Sequence, residues 1–178
     1  EGACTVSCIE ECPPGWQCQE LNTGSPDLFF ACISDFPNLC KPCHSGEACT
    51  SFAGADDLCV DYGEEGSFCG GKCVPEGEDG PLCPAGFTCE ESTTVDGLTA
   101  HQCVPESGTC QCTQKSIELL LWTGCEVTNE FGTCSGKRVC TADGLSACDA
   151  ATPEVEICNG IDDDCDGDID EPNAVGGD

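Results

Sequence analysis

Cysteine constrains this chain more than any other residue, because 22 of its 178 residues are cysteines. So high a content is typical of a disulfide scaffold. The even number allows complete pairing, which would give at most eleven bridges (22/2). We therefore expect a small disulfide-rich fold, mostly β-hairpins and loops with little helix, in which bridges replace much of a hydrophobic core. Spacing alone does not determine which cysteines pair.

The charge of the chain limits its partners. Five Lys and Arg residues stand against 34 Asp and Glu residues, so the formal net charge is −29 at pH 7. Nucleic acid and anionic membrane surfaces attract clustered basic residues, and both are excluded as partners on this ground. Cations are favoured instead, above all Ca²⁺, which prefers carboxylate oxygens.

So many cysteines predict an oxidising compartment, and we expect a protein that is secreted, extracellular or attached to the cell surface. The sequence has no Met and no basic, apolar leader. We therefore expect a mature chain from which the signal peptide has been removed. The longest apolar run, Leu119 to Trp122, is far shorter than the roughly 20 residues of a membrane helix, so no direct membrane insertion is expected.

Cysteine spacing indicates a repeat in the first 110 residues. Three segments have five residues between two cysteines and a glycine at the same place, and they run from Cys12 to Cys18, from Cys43 to Cys49 and from Cys83 to Cys89. We interpret them as three cysteine-rich hairpin modules, at residues 1–39, 40–72 and 73–109. The glycine should allow a positive φ or a close approach. Each adjacent aromatic, Trp16 or Phe87, should cover a disulfide.

Turn-forming residues place the strands of these modules. Strands are predicted at 16–21 and 28–33 in the first module and at 87–94 and 98–104 in the third, with turn formers between them. The modules resemble EGF-like cysteine-rich knots in a generic way, through the Cys-Pro-x-Gly-aromatic-x-Cys pattern. We interpret the Cys-x-x-Cys pair at Cys40 and Cys43 and the Cys-x-Cys pair at Cys110 and Cys112 as half-cystines. The alternative is a zinc or copper(I) thiolate site, which uses such pairs.

The fourth predicted module, residues 110–178, has a different pattern. Residues 137–148 predict a hairpin turned at Asp143-Gly144, a dipeptide that favours a type I′ turn. Gly-Thr-Cys134, Gly-Lys-Arg-Val-Cys140 and Gly-Leu-Ser-Ala-Cys148 are followed by Pro-Glu-Val-Glu156-Ile-Cys158-Asn-Gly-Ile-Asp-Asp-Asp-Cys165-Asp-Gly. Residues 132–171 closely resemble a bacterial family of metal-binding motifs, often called MopE-like. The resemblance implies a secreted or surface-attached bacterial protein. The copper site of its name-giving member lies outside this motif and is not carried over.

The same residues independently indicate calcium. Asp162, Asp164 and Asp166 occupy positions 1, 3 and 5 of a calcium-loop template, and Gly167 occupies the sharp turn at position 6. Asp168 would offer its carbonyl at position 7. The template fails at position 12, where Asn173 replaces the bidentate Glu, so the loop is not an EF-hand and is also similar to thrombospondin type 3 repeats. We predict a Ca²⁺ site whose ligands come from Asp162, Asp164, Asp166, Asp168, Asp170 and Glu171.

One concentrated apolar stretch predicts either a module core or a self-association patch, and it contains Ile117, Leu119, Leu120, Leu121 and Trp122. Its alternation at residues 117, 119 and 121 is typical of a half-buried strand. His44 and His101 accompany no nucleophile motif, so we expect no enzyme. We favour a bacterial structural protein, a building block of a cell-surface or extracellular filament that forms a homo-oligomer or polymer and contacts other surface proteins. The alternative is a soluble secreted protein that binds calcium, copper or another ligand.

Overall fold

Antiparallel hairpins make up nearly all the regular structure. The computed structural model describes residues 8, 12–13, 15–21, 29–50 and 57–170. The chain divides into two units, one of residues 1–62 and 67–111 and one of residues 63–66 and 112–178. Ten disulfides join described residues. The prediction of a disulfide-rich fold of small β-sheets and loops with very little helix is confirmed.

The described residues of the first unit form three two-stranded sheets, each a hairpin of neighbouring strands. The strands are β1 (Trp16–Leu21) with β2 (Phe29–Ser34), β3 (Cys59–Asp61) with β4 (Ser67–Cys69), and β5 (Phe87–Thr93) with β6 (Thr99–Pro105). The first and third hairpins follow the predicted strands to within one residue. A 3₁₀ turn at Gly46–Ala48 precedes the second hairpin.

One disulfide arrangement recurs in all three hairpins. Two cysteines face each other across the strands, but each bonds to a cysteine that precedes the hairpin, so the first cysteine pairs with the third and the second with the fourth. The second bridge always has a sequence separation of 20. The facing pairs are Cys18 with Cys32, Cys59 with Cys69, and Cys89 with Cys103. The bridges are 8–18 and 12–32, 43–59 and 49–69, and 73–89 and 83–103.

This arrangement corrects the alignment of the middle repeat. Cys43 and Cys49 take the first and second positions of their module, whereas Cys12 and Cys18 take the second and third. Their equal spacing is therefore a coincidence. All described bridges except Cys40–Cys110 close within one of the four predicted residue ranges, although the division into modules remains a prediction. The interpretation of Cys40, Cys43, Cys110 and Cys112 as half-cystines is confirmed.

Bridges form much of the core of the first unit. Cys43, Cys49, Cys59 and Cys69 are fully buried together, with Ala48 and Val95 packed against them. A second cluster combines Phe36 with Cys73 and Cys103, and Phe87 packs on it as predicted. Trp16 is 38% exposed, and its predicted packing over a bridge stays a prediction. Gly15 and Gly86 do have the predicted positive φ.

The second unit joins one short helix to a three-stranded sheet. The elements are α1 (Gln114–Glu118), β7 (Trp122–Thr128), β8 (Thr133–Thr141) and β9 (Gly144–Leu145), in sheet order β7-β8-β9. A 3₁₀ turn at Gly63–Glu65 belongs to this unit. Three bridges interlock, since Cys112 pairs with Cys140, Cys125 with Cys148 and Cys134 with Cys165. Among the described residues no helix is long and apolar enough to cross a membrane.

Two local predictions in this unit are wrong. The apolar stretch does not continue as a strand from residue 117, because Thr113 caps a helix by accepting a hydrogen bond from Ser116 N. The hairpin after β8 is not a type I′ turn, because Asp143 does not have the positive φ that such a turn requires. Gly144 has the positive φ instead and begins β9.

Candidate metal centre

The acidic segment 153–170 follows the sheet of the second unit and forms no regular strand. The disulfide Cys134–Cys165 attaches it to β8. Asn129 Nδ2 donates to the carbonyl of the buried Pro153 over 2.7 Å. A Cβ on Gly132 would collide with the carbonyl oxygen of Asp164, so the β7–β8 turn approaches the segment closely at this position. The β7–β8 hairpin thus contacts the segment at Pro153 and again at Asp164 and Cys165.

Carboxylates fold the loop by accepting hydrogen bonds from its own backbone. Asp162 accepts from Asp166 N over 3.2 Å and from Gly167 N over 3.1 Å. Asp164 accepts from Asp166 N, and Asp166 accepts from Asp168 N. Gly167 has a φ of 100°, as expected for the predicted sharp turn. The backbone therefore curls around the side chain of Asp162.

Three carboxylates meet in this loop. One oxygen from each of Glu156, Asp162 and Asp164 lies within 4.8 Å of the other two. Like charges at this distance cost roughly 3 kcal/mol per pair at an effective dielectric constant of about 20. A divalent cation would replace this repulsion with attraction. Oxygen atoms alone form the group, and oxygen is the donor that Ca²⁺ and Mg²⁺ select.

Glu156 is the member that the sequence analysis missed. It precedes the aspartate loop by six residues and lies outside the linear template, although it is the glutamate of the Pro-x-x-Glu-x-Cys pattern. Its side chain is only 4% exposed, and its carboxylate accepts a hydrogen bond from Asp163 N. A buried ionised carboxylate needs compensation from donors or a cation. Glu156 is therefore well placed to act where the template lacks its final glutamate.

The remaining predicted ligands are not part of the group formed by Glu156, Asp162 and Asp164. Asp166 and Asp168 are exposed and follow the clustered carboxylates. Asp170 accepts hydrogen bonds from the backbone N–H groups of Asn159 and Gly160 over 2.9 to 3.1 Å. Glu171 lies outside the described residues. The site residues as a set stay a prediction, with Asp162 and Asp164 brought together by the structure.

Three other groups of potential ligands consist of cysteines: 8, 12 and 18; 43, 49 and 69; and 73, 83 and 89. Each of these cysteines belongs to a disulfide, so none offers the thiolate that a zinc or copper site uses. Cys158 is unbridged and exposed. The acidic loop therefore remains the candidate metal centre among the described residues.

The predicted self-association patch divides into exposed and covered residues. Leu119 is 58% and Leu120 is 68% exposed, whereas Ile117, Leu121 and Trp122 are partly buried. Lys137 Nζ lies 4.5 Å from the ring centroid of Trp122, a cation–π contact. Leu120 has a φ of 50°. Its N–H bonds to Ile117 O and Leu121 N bonds to Ser116 O, which is the Schellman arrangement that normally places glycine at this position.

Among the described residues, two groups of the first unit, Tyr62 and Asp35, have shifted pKa values. Burial raises the pKa of Tyr62 to about 12, and the negative charge of Glu90 adds to the effect. The Tyr62 hydroxyl is buried without a hydrogen-bond partner, and its ring packs edge-on against Phe68. Burial also raises the pKa of Asp35. Tyr62 is thus a protonated packing residue at neutral pH.

Comparisons of this chain with family models, with curated proteins and with solved structures find no match. The resemblance of residues 132–171 to the MopE-like motif accordingly stays a prediction. The ten disulfides indicate an extracellular or otherwise oxidising environment. The chemistry of the acidic loop has to be inferred from its own geometry.

Proposed function

We propose that this chain is a secreted, calcium-binding structural protein whose acidic loop holds Ca²⁺. The observation that carries the proposal is the convergence of Glu156, Asp162 and Asp164 on one point. Asp166 and Asp168 follow in the loop, and we expect the Asp166 carboxylate and the Asp168 carbonyl to supply further oxygen ligands. Calcium accepts six to eight oxygens in flexible geometry, whereas Mg²⁺ demands near-ideal octahedral geometry and retains several waters. An irregular carboxylate-rich loop therefore favours calcium.

The buried Glu156 supplies what the linear template lacks. In an EF-hand the final glutamate closes the site from the C-terminal side. Here the carboxylate of Glu156 reaches Asp162 and Asp164 from the N-terminal side of the loop. The Cys134–Cys165 bridge anchors the loop in place of the flanking helices of an EF-hand. We expect the weak affinity of extracellular calcium modules, with a dissociation constant of roughly 10⁻⁴ to 10⁻³ M.

Calcium titration calorimetry tests this site. Glu156→Gln and Asp162→Asn should each abolish or strongly weaken binding. Glu154→Gln is the matched control, because Glu154 is exposed and lies two residues before Glu156. It should bind like the unmodified protein. Equal calcium binding by Glu156→Gln and Glu154→Gln would refute the role of Glu156.

We further propose that the protein assembles with copies of itself through Leu119 and Leu120. A net charge of −29 makes copies repel one another until cations neutralise or screen it. Assembly should therefore require both calcium and an apolar contact. Leu120 supports this role because a leucine in the left-handed conformation costs stability that a glycine would not.

Electron microscopy in calcium and in EDTA tests assembly. Filaments or lattices in calcium, lost in EDTA, are the expected result. Leu120→Gly should abolish them while slightly raising thermal stability, since glycine suits the positive φ. Leu98→Ser is the matched control, because Leu98 is similarly exposed (57%) in the first unit. Dispersed particles under both conditions would contradict assembly and favour a soluble calcium-binding protein.

A further inference from the structure

The turn at Asn159 and Gly160 is a feature of the acidic segment outside the group of Glu156, Asp162 and Asp164. It contains the single Asn-Gly dipeptide of the whole sequence. Glycine has no side chain to hinder attack by its backbone nitrogen on the preceding asparagine. Asn-Gly dipeptides are consequently where asparagine most readily forms a succinimide. The question is whether this fold slows or accelerates that reaction.

Four hydrogen bonds surround the reacting atoms. Gly160 N donates to both carboxylate oxygens of Asp170, over 3.0 and 3.1 Å. Ile161 N donates to Asn159 Oδ1 over 2.6 Å. Asn159 Nδ2 donates to Asp163 Oδ2 over 2.8 Å. Gly160 has a φ of 80°, so glycine is also the residue that this backbone conformation favours.

The contacts of Asp170 and of Ile161 each have a role in succinimide formation. An anionic carboxylate at Gly160 N is a proton acceptor within hydrogen-bond reach, which is the geometry that general-base catalysis needs. The Ile161 N–H lies against the oxygen that gains negative charge when the side-chain carbonyl is attacked. We propose that Asn159 is a self-modification site, at which the folded turn accelerates deamidation.

The step balances without an external reagent except water. Gly160 N forms a bond to Asn159 Cγ while its proton passes to Asp170, and the carbonyl oxygen takes up the charge beside Ile161 N–H. Collapse of this intermediate breaks the Cγ–Nδ2 bond and releases ammonia, with the leaving nitrogen taking the proton that Asp170 accepted, directly or through water, so that Asp170 returns to its starting state. Water then opens the succinimide to aspartate or isoaspartate.

The product changes the turn. A carboxylate at position 159 no longer donates to Asp163, and it adds a negative charge beside Asp163 and Asp170. Isoaspartate also adds a methylene to the backbone, which shifts the register of the turn. We therefore expect the modified segment to be looser than the original one.

Asn129 provides an internal control. Its Oδ1 accepts from Phe131 N over 2.8 Å, which is the same local turn, and its Nδ2 donates to Pro153 O. It is followed by Glu130, whose side chain hinders the attack, instead of by glycine. Asn129 should therefore stay intact where Asn159 reacts.

Peptide mass spectrometry after incubation of the oxidised protein in ¹⁸O-labelled, mildly alkaline buffer with EDTA tests the proposal. Asn159 should deamidate with one ¹⁸O incorporated, at least about tenfold faster in the folded protein than in the reduced and denatured chain, since a positioned base contributes about 10²- to 10⁴-fold. Asn129 should show no such acceleration. A slower rate at Asn159 in the folded protein would overturn the proposal, because the hydrogen bonds would then protect the turn.

Variants separate the proton acceptor from general folding. Asp170→Asn should reduce the folded rate to that of the denatured chain or below, and Asp170→Glu should restore part of it by returning a carboxylate. Glu154→Gln removes an exposed charge from the same segment and should leave the rate unchanged. An unchanged rate in Asp170→Asn, or equal losses in Asp170→Asn and Asp170→Glu, would refute the role of Asp170.

Discussion

The hairpins of the first unit and the acidic segment of the second unit are stabilised in opposite ways. In the hairpins, each of two facing cysteines bonds to a cysteine that precedes the strands, and in the middle hairpin these two bridges are fully buried. In the acidic segment, one bridge and a set of carboxylate–backbone hydrogen bonds hold a largely exposed loop. A fold built on covalent bridges should be insensitive to cations, whereas a fold built on converging carboxylates should depend on them.

The largest expected effect comes from breaking a hairpin. Cys49→Ser with Cys69→Ser removes a fully buried bridge that closes 20 residues. Loss of loop closure costs about 3 kcal/mol in the chain-entropy model, and the poorly filled core adds to it. We expect calorimetry to show a much lower melting temperature for the first unit than in the unmodified protein. The decrease should be the same in calcium and in EDTA. A calcium-dependent loss would contradict the contrast between the two regions.

Calcium should stabilise the second region alone. At a free concentration 100 times the dissociation constant, binding to the folded state contributes about 2.7 kcal/mol. Replacing both Cys134 and Cys165 with Ser should remove this increment, because the loop then loses its attachment to β8. Scanning calorimetry with and without calcium measures the difference. An equal calcium increment in the bridge-free variant would show that the attachment is dispensable.

A close contact provides a finer test of how the sheet positions the loop. Gly132→Ala places a Cβ against the carbonyl of Asp164, and overpacking of this kind costs about 1 to 3 kcal/mol. The loop should shift and calcium binding should weaken, as measured by titration calorimetry. Gly124→Ala is the control, because no atom lies within 4 Å of its added Cβ. The two variants should differ clearly in calcium affinity.

The smallest expected effect is a loss of stability of the first unit at alkaline pH, caused by the ionisation of Tyr62. Tyr62 has a pKa of about 12 when folded and about 10 when unfolded. The folded state therefore retains a proton that the unfolded chain has lost, and stability is full below pH 10 and falls as the pH rises from 10 to 12. For this half-buried phenol the loss should stay below about 2 kcal/mol.

Tyr62→Phe tests this assignment in denaturant titrations across the same pH range. The variant should lack the Tyr62 component of the alkaline loss. At neutral pH it should be as stable as the unmodified protein or about 1 kcal/mol more stable, because it removes a buried hydroxyl without a partner. Identical alkaline profiles for the two proteins would contradict the raised pKa.

The fold class and two hairpins could be predicted from the sequence because they follow from local information. Cysteine content, turn residues and the glycines Gly15 and Gly86 act within a few residues. The middle hairpin was misaligned because the five-residue spacing at Cys43 looked like the others. The signal in the sequence that aligns all three modules is the constant separation of 20 between the second and fourth cysteines. Pairings such as Cys40–Cys110 depend on tertiary contacts that spacing does not reveal.

The candidate site was half predictable for a related reason. Asp162 and Asp164 follow a linear template, so their convergence could be anticipated. Glu156 reaches them only because the chain folds back between residues 156 and 162, with Asp163 N bonded to its carboxylate.

The strand predicted at residues 117–121 was wrong because the Thr113 cap starts a helix there, and alternation alone did not reveal that cap.

The most direct test of the account is hydrogen exchange of the oxidised protein, measured by mass spectrometry over a calcium titration. The account predicts slower exchange in residues 156–168, including the backbone amides of Asp163, Asp166 and Gly167, with a millimolar midpoint and no change in β1 to β6. Magnesium at the same concentrations should have little effect. Exchange in residues 156–168 that ignores calcium, or protection that appears equally in the hairpins, would contradict the claim that this loop is the calcium site.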